Sequence, residues 1–134
     1  MRINIDVIPH SEQRYETVGD WWVGEDGEVQ IRASEMSEEA YSALVIIHEL
    51  NEVLIEAVRR TGGLRVPQSL VNETDAWDKA YEAARTEENE VGEPGADPRC
   101  PAYRGHMAAS AIEHVVAMIL GINYNDYADE IAKL

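Results

Sequence analysis

The sequence predicts an α+β fold in which a small amino-terminal antiparallel sheet of about three strands packs on a bundle of three to four helices. Apolar and polar residues alternate through much of the first 35 positions, and an Asp-Gly pair divides that region. Helical spacing follows, interrupted by Gly62-Gly63 and by a proline-rich stretch. At 134 residues the chain has the usual size of one domain. We therefore expect a single domain, with strands and a hairpin in residues 1–35 and helices in residues 36–134.

Three strands are predicted from alternation and from turn residues. Ile3, Ile5 and Val7 alternate with polar residues, a pattern typical of a strand with one buried face. Residues 19–23 and 28–33 flank a Gly-Glu-Asp-Gly sequence, and an Asp-Gly pair between two such segments is a strong hairpin signal. We expect these strands to form the antiparallel sheet.

Four helices are predicted in the remainder of the chain. The first should have Ser37 as its N-cap and should end near residue 60, before the two glycines. The others are expected at about residues 72–90, 103–120 and 125–133. Residues 91–101 contain three prolines and two glycines, which predicts a surface loop.

The charge of the chain restricts its partners. Asp and Glu number 26 against 11 Lys and Arg, which gives a formal charge of −15. Such a charge repels phosphate backbones and anionic lipids, so we expect a peptide or protein partner, and neither nucleic acid nor a membrane. The single cysteine, Cys100, excludes an intrachain disulfide, and the first residues do not form a signal peptide. A cytoplasmic location is expected, and the oligomeric state stays open.

The first and third helices together carry a possible metal site. His48 and Glu52 lie one helical turn apart at the margin of a core-facing stripe, where a carboxylate needs a partner. On the third helix, His106 and Glu113 share one face, beside alanines that permit close helix approach. Two imidazoles and a carboxylate are a standard ligand set for Zn²⁺, and the set also suits Fe(II). We expect donor atoms of His48, Glu52 and His106 to converge to about 3–4 Å even without metal.

Two further glutamates belong to this hypothesis. Glu113 is predicted either as a fourth metal ligand or as the partner of a histidine's free nitrogen. Glu49 points about a quarter-turn away from His48, so it could contact a metal-bound water without being a ligand. The alternative is a buried polar network without metal, in which His48 pairs with Glu113 and His106 pairs with Glu52.

Residues 44–52, Leu-Val-Ile-Ile-His-Glu-Leu-Asn-Glu, follow a predicted hairpin. This order resembles the zincin metallopeptidases, in which an edge strand precedes a His-Glu-x-x-His helix; Glu52 stands at the position of the second zincin histidine. The resemblance covers about residues 19–56 and implies a zinc-dependent peptidase with Glu49 as general base. It also implies that residues 28–34 bind an extended peptide at a strand edge, beside a cleft covered by residues 91–101. The His-Glu-Leu-x-Glu helix is also similar to that of short uncharacterised phage proteins.

Two alternatives come from other residues. Glu49-Leu-Asn-Glu52 followed by Asp75-Ala-Trp-Asp78 resembles the all-α nucleotide pyrophosphatases of the MazG type, which implies Mg²⁺ bound at a triphosphate. The other alternative is a non-enzymatic inhibitor or adaptor. It would present the acidic stretch of residues 82–93 to a basic protein, and its carboxylates would include Glu87, Glu88, Glu90 and Glu93.

Overall fold

The fold has an amino-terminal sheet followed by helices, as the sequence predicts. The computed structural model describes residues 1–88 and 92–134. In that part of the chain, strands β1 (Ile3–Ile8), β2 (Gly19–Val23) and β3 (Val29–Ser34) precede helices α1 (Glu39–Thr61), α2 (Gln68–Ala83), α3 (Tyr103–Ile119) and α4 (Tyr124–Ala132). The α+β prediction is therefore confirmed. None of these helices combines the length and the apolar character needed to cross a membrane.

The sheet is mixed, so the prediction of an antiparallel sheet is wrong for one of its two pairings. The strand order is β1-β3-β2. β2 and β3 form the predicted antiparallel hairpin, and Gly27 adopts a positive φ of 76° in its turn. β1 is parallel to β3 and pairs with it from Ile3↔Val29 to Ile8↔Ser34. Residues 9–18 connect β1 to β2 across the end of β3. β2 is therefore antiparallel to β1, and β3 lies between them.

β1 does not have the buried face that its alternation predicts. Val29, Ile31 and Ala33 on β3 are fully buried, whereas Ile5 and Val7 on β1 are each 46% exposed. The register places Ile5 beside Ile31 and Val7 beside Ala33, on the same face of the sheet. α1 packs chiefly on β3 and β2, so the helical layer ends before it reaches β1. Alternation marks which side chains share a face, but it does not show whether another element covers that face.

Two local predictions in the helical part also need correction. α2 occupies Gln68–Ala83 instead of about 72–90, because Pro67 starts it early and Arg85 folds back to Glu82 and to the carbonyl of Gly92. The predicted end of that helix, at residues 89–90, lies outside the described residues. Ser37 is not the N-cap of α1. Its backbone N–H and its hydroxyl both donate to the Glu130 carboxylate on α4, at 2.6 Å each.

The contact between α1 and α3 brings the two helix backbones close together. The Gly105 N–H donates to Glu56 Oε1 over 2.9 Å, and Glu56 is completely buried. Arg59 donates to the same oxygen at 2.7 Å, so the buried charge is compensated. A Cβ at position 105 would lie 2.7 Å from Glu56 Cγ and 3.1 Å from the Glu52 carbonyl oxygen. A larger residue there would have to displace the buried Glu56 side chain or move one helix.

Gly105→Ala should therefore destabilise the protein. Overpacking costs about 1–3 kcal/mol, against a gain of roughly 1 kcal/mol in helix propensity, so we expect a net loss of about 1 kcal/mol. Gly63→Ala is the matched control, because a Cβ there meets nothing within 4 Å. The free energy of unfolding, measured in urea, checks both variants. Equal stability of the two would contradict the close packing described here.

Candidate metal centre

Three ligand atoms from α1 and α3 converge in the interior. His48 Nε2 lies 3.2 Å from Glu52 Oε2 and 3.1 Å from His106 Nδ1, and His106 Nδ1 lies 3.0 Å from Glu52 Oε2. His48 is 8% exposed and Glu52 is 7% exposed. The predicted convergence to about 3–4 Å is confirmed. Across residues 1–88 and 92–134, these three residues form the cluster that could hold a metal ion. Their three converging atoms, His48 Nε2, His106 Nδ1 and Glu52 Oε2, form a triangle.

In each imidazole, one nitrogen belongs to the triangle and is the near nitrogen. The other, the far nitrogen, contacts a separate carboxylate. His48 Nδ1 lies 2.7 Å from Glu113 Oε2, and His106 Nε2 lies 3.1 Å from Glu93 Oε2. An ionised carboxylate only accepts hydrogen bonds, so each far nitrogen carries the proton. In the neutral tautomers, both near nitrogens then point lone pairs at each other and at Glu52. Carboxylate–histidine pairs of this kind orient the ligands of metal sites.

Glu113 therefore has the second of its two predicted roles. It binds the far nitrogen of His48 and does not belong to the triangle, so it is not a direct ligand in this arrangement. Its other oxygen, Oε1, accepts a hydrogen bond from the Tyr124 hydroxyl at 3.2 Å. Helix α4 thus contributes to holding His48 in place.

Glu52 is oriented by a residue on the sheet. The indole N–H of Trp21 donates to Glu52 Oε1 over 3.1 Å, which leaves Oε2 in the triangle. Trp21 is 5% exposed, so the indole is fixed by the core around it. The sequence alone does not indicate that Trp21 or Glu93 belongs to the site. No local pattern connects Trp21 to Glu52 across 31 positions, and Glu93 lies in an acidic stretch that suggested a surface for a basic protein partner.

A cation would have to compete with protons for the three atoms of the triangle. Burial alone lowers the pKa of His48, but hydrogen bonds to Glu113 and Glu52 outweigh it and raise that pKa to about 11. For His106, burial is likewise outweighed by Glu52 and Glu93, and its pKa rises to about 9. Burial raises the pKa of Glu52, yet hydrogen bonds from the two histidines bring it down to about 2. The metal-free cluster thus holds extra protons at neutral pH, which a cation would displace.

The contacts of the polar-network alternative are also present, since His48 pairs with Glu113 and His106 with Glu52. These pairs alone do not account for the 3.1 Å approach of His48 Nε2 to His106 Nδ1. Two ring nitrogens that both bear lone pairs repel each other unless a proton or a cation lies between them. A metal ion satisfies three such atoms at once, whereas a single proton bridges two.

Glu49 lies beside the triangle without belonging to it. It lines a small cavity of about 100 Å³ with Glu52 and His106, and a larger one of about 650 Å³ with His48. Within the described residues, its carboxylate accepts no hydrogen bond. Burial, followed by the charge of Glu52, raises the pKa of Glu49 well above its usual value. This carboxyl group is therefore able to take up or give a proton inside the cavity.

Two glycines permit this arrangement. A Cβ at Gly19, the first residue of β2, would overlap the Glu49 carboxylate. A Cβ at Gly95 would overlap the His106 ring. Gly95 follows Pro94, whose carbonyl accepts the Trp77 indole N–H at 2.9 Å. The segment from Gly92 to Gly95 therefore lies against the site and lines the cavities, as predicted for the loop of residues 91–101; Val91 lies outside the described residues.

Strand β3, which the sequence predicts to border the site, does not line either cavity. β3 is hydrogen-bonded on both sides, to β1 and to β2, so it has no free edge for an extended peptide. β2 is the strand nearest the cluster, and Gly19, Asp20 and Trp21 line the small cavity. The prediction of peptide binding along residues 28–34 is therefore wrong. The hairpin places its second arm in the centre of the sheet because β1 occupies the other side.

The carboxylates of the magnesium hypothesis are engaged elsewhere. Arg14 binds Asp75 through two hydrogen bonds, at 3.0 and 3.2 Å, and also binds Asp20. The Tyr15 hydroxyl donates to Asp78 at 3.0 Å. Asp75 and Asp78 do not join Glu49 and Glu52 in a metal cluster within residues 1–88 and 92–134.

The predicted acidic surface is also partly neutralised. Glu82 binds Arg85, at 2.5 and 2.8 Å, and Glu93 binds His106. Glu87 and Glu88 remain exposed, and Glu90 lies outside the described residues.

Comparisons with protein families, with curated proteins and with solved structures find no match.

Zinc binding should release protons and should tighten as the pH rises. His48 and His106, with pKa values of about 11 and about 9, must each lose a proton before the near nitrogen can bind an ion. The apparent affinity should weaken from about pH 8 to about pH 6, by roughly tenfold per pH unit for each proton displaced. Calorimetric titration with Zn²⁺ in buffers of different ionisation enthalpy counts these protons. A pH-independent affinity without proton release would contradict the site.

Glu113→Gln should weaken zinc binding by about 10- to 100-fold, because the amide is a poorer acceptor for the His48 N–H. Asp20→Asn is the matched control: it also replaces a buried carboxylate, but one that is bound by Arg14 and lies outside the cluster. Its zinc affinity should equal that of the wild-type protein. A similar loss in both variants would indicate a general effect of burying an amide, and Glu113 would then have no specific role.

Proposed function

We propose that this protein is a zinc-dependent hydrolase whose ion is held by His48, Glu52 and His106. The observation that carries the proposal is the convergence of these three donor atoms within 3.0–3.2 Å of one another. Two imidazoles and one carboxylate suit zinc with an open position for water or substrate. Fe(II) fits the same ligands, and Mg²⁺ is disfavoured because it prefers oxygen ligands.

Glu49 supplies the acid–base group of the proposed reaction. When bound, the ion would act as a Lewis acid and lower the pKa of a water molecule. Glu49 lines the cavities beside all three ligands and has no competing hydrogen bond within the described residues. A carboxylate in that position accepts the proton of the attacking water and returns it to the leaving group. This division of roles is the one that the resemblance to zincins implies.

The proposed substrate is a peptide that carries positive charge. The 650 Å³ cavity is lined by carboxylates that include Glu16, Asp78, Glu93 and Asp129. Arg85, which also lines it, is bonded to Glu82. Such walls attract a cationic group and repel phosphates, which argues against a nucleotide substrate.

A reduced, buried Cys100 accords with a cytoplasmic location, which we infer as part of this proposal.

The first test measures metal content in protein purified without a chelator and without a histidine tag. Wild-type protein should contain close to one equivalent of zinc or iron per chain, and His48→Ala should contain none. Metal-free wild-type protein that folds fully and does not take up Zn²⁺ on titration would contradict the proposal. The polar network would then be the better description of the cluster.

The second test separates catalysis from metal binding. Glu49→Gln should lower the turnover of fluorogenic peptides that contain Lys or Arg by about 10²- to 10⁴-fold, with unchanged metal content, because Glu49 is not a ligand. Glu39→Gln is the control: it removes an exposed carboxylate from the same helix, outside both cavities, and should keep the activity. If Glu49→Gln also loses the metal, the assigned roles are wrong.

A further inference from the structure

The outer edge of β1 carries unpaired backbone groups. The carbonyls of Arg2 and Ile8 accept hydrogen bonds from Val29 at 2.9 Å and from Glu35 at 2.7 Å, so even-numbered residues direct their backbone toward β3. Successive residues of a strand alternate in direction. The N–H and C=O groups of Ile3, Ile5 and Val7 therefore point away from the sheet. Within residues 1–88 and 92–134, no hydrogen bond pairs them.

Apart from the charge of Asp6, this edge lacks the features that usually prevent strand pairing. Proteins protect exposed edges with proline, lysine, bulges or a covering element. β1 has the sequence Ile-Asn-Ile-Asp-Val-Ile, is paired regularly along its whole length and contains no lysine or proline. Ile5 and Val7 are each 46% exposed, because α1 covers their face of the sheet over β3 and β2 but does not extend over β1. The edge thus combines free hydrogen-bonding groups with uncovered apolar side chains.

We propose that β1 binds the β1 strand of a second copy of this chain, antiparallel and with Ile5 on the two-fold axis. In that register Ile3 faces Val7 of the other copy, and Ile5 faces Ile5. All three outward-facing residues then form hydrogen-bonded pairs, with two bonds each, and no such group remains unpaired. The two three-stranded sheets become one sheet of six strands.

The side chains favour this register over its neighbours. Asn4 faces Asp6 on one side of the combined sheet, while Ile3, Ile5 and Val7 meet on the other side. A shift that places the axis on Asp6 would oppose two carboxylates, which is destabilising. A shift that places it on Asn4 pairs Val7 with Met1 and leaves fewer outward residues within the regular strand. The register centred on Ile5 is therefore the self-complementary one.

The dimer should be reversible and sensitive to salt. A single strand edge buries less than the roughly 800 Å² per partner of a standard interface. Each copy carries a formal charge of −15, and salt screens the repulsion between copies. The cavities beside the metal centre lie toward β2, at the opposite edge of the sheet, so the dimer leaves them open.

The test is sedimentation velocity of the full chain from micromolar to millimolar concentration, at low and at physiological salt. The wild-type protein should dimerise, and more tightly at the higher salt. Ile5→Lys and Ile5→Glu should each associate at least about tenfold more weakly than the wild-type protein, because like charges would meet on the axis. At concentrations where the wild-type protein is dimeric, each variant should be mainly monomeric. An equimolar mixture of the two variants should recover a heterodimer. Circular dichroism verifies that both variants fold.

Val58→Lys is the matched control, since Val58 is an exposed apolar residue on α1, 50% accessible and outside the sheet. It should dimerise like the wild-type protein. A wild-type chain that stays monomeric at all concentrations would overturn the proposal. So would dimers that persist in Ile5→Lys, because the interface would then be elsewhere. Failure of the two charged variants to associate with each other when mixed would also contradict self-pairing.

Discussion

The hydrogen bond from the Gly105 backbone to the Glu56 carboxylate fixes the separation of α1 and α3. Its consequences extend along both helices, because Glu52 lies one turn before Glu56 and His106 directly follows Gly105. A wider separation would move His106 Nδ1 away from the 3.0 Å contact with Glu52. The packing of the core and the geometry of the candidate metal centre therefore depend on the same close contact between helices.

The cluster also shows how a small core can hold several ionisable groups. Burying an unpaired charge is very unfavourable, so each of these groups needs a partner of opposite charge or a proton. His48 and His106 obtain theirs from Glu113, Glu52 and Glu93, which is why their pKa values rise in spite of burial. A bound cation would provide the same compensation at the near nitrogens without requiring protonated rings. The same three groups can therefore be compensated by protons or by a cation, and a cation would have to displace the protons.

Much of this arrangement could be predicted from local sequence. The Asp-Gly turn fixed the hairpin, and helical spacing placed His48, Glu52, His106 and Glu113 on facing sides of two helices. The contributions of Trp21 and Glu93 could not be predicted, because they depend on how β2 and the loop before α3 pack against the helices. The parallel pairing of β1 with β3 was missed for the same reason: alternation gives the faces of a strand but not its neighbours. In each case the missing information concerned contacts between segments distant in the chain.

The two carboxylates behind the histidines differ in their surroundings. Glu113 is 5% exposed and is also held by Tyr124, whereas the side chain of Glu93 is 66% exposed and belongs to a loop. His48 thus has a buried carboxylate partner, whereas the partner of His106 is open to the surrounding solution. Salt screens exposed charge pairs far more than buried ones, so added salt would weaken the Glu93–His106 contact before the Glu113–His48 contact. The orientation of the His106 ring therefore depends on the ionic strength of the solution, and that of the His48 ring depends on the protein interior.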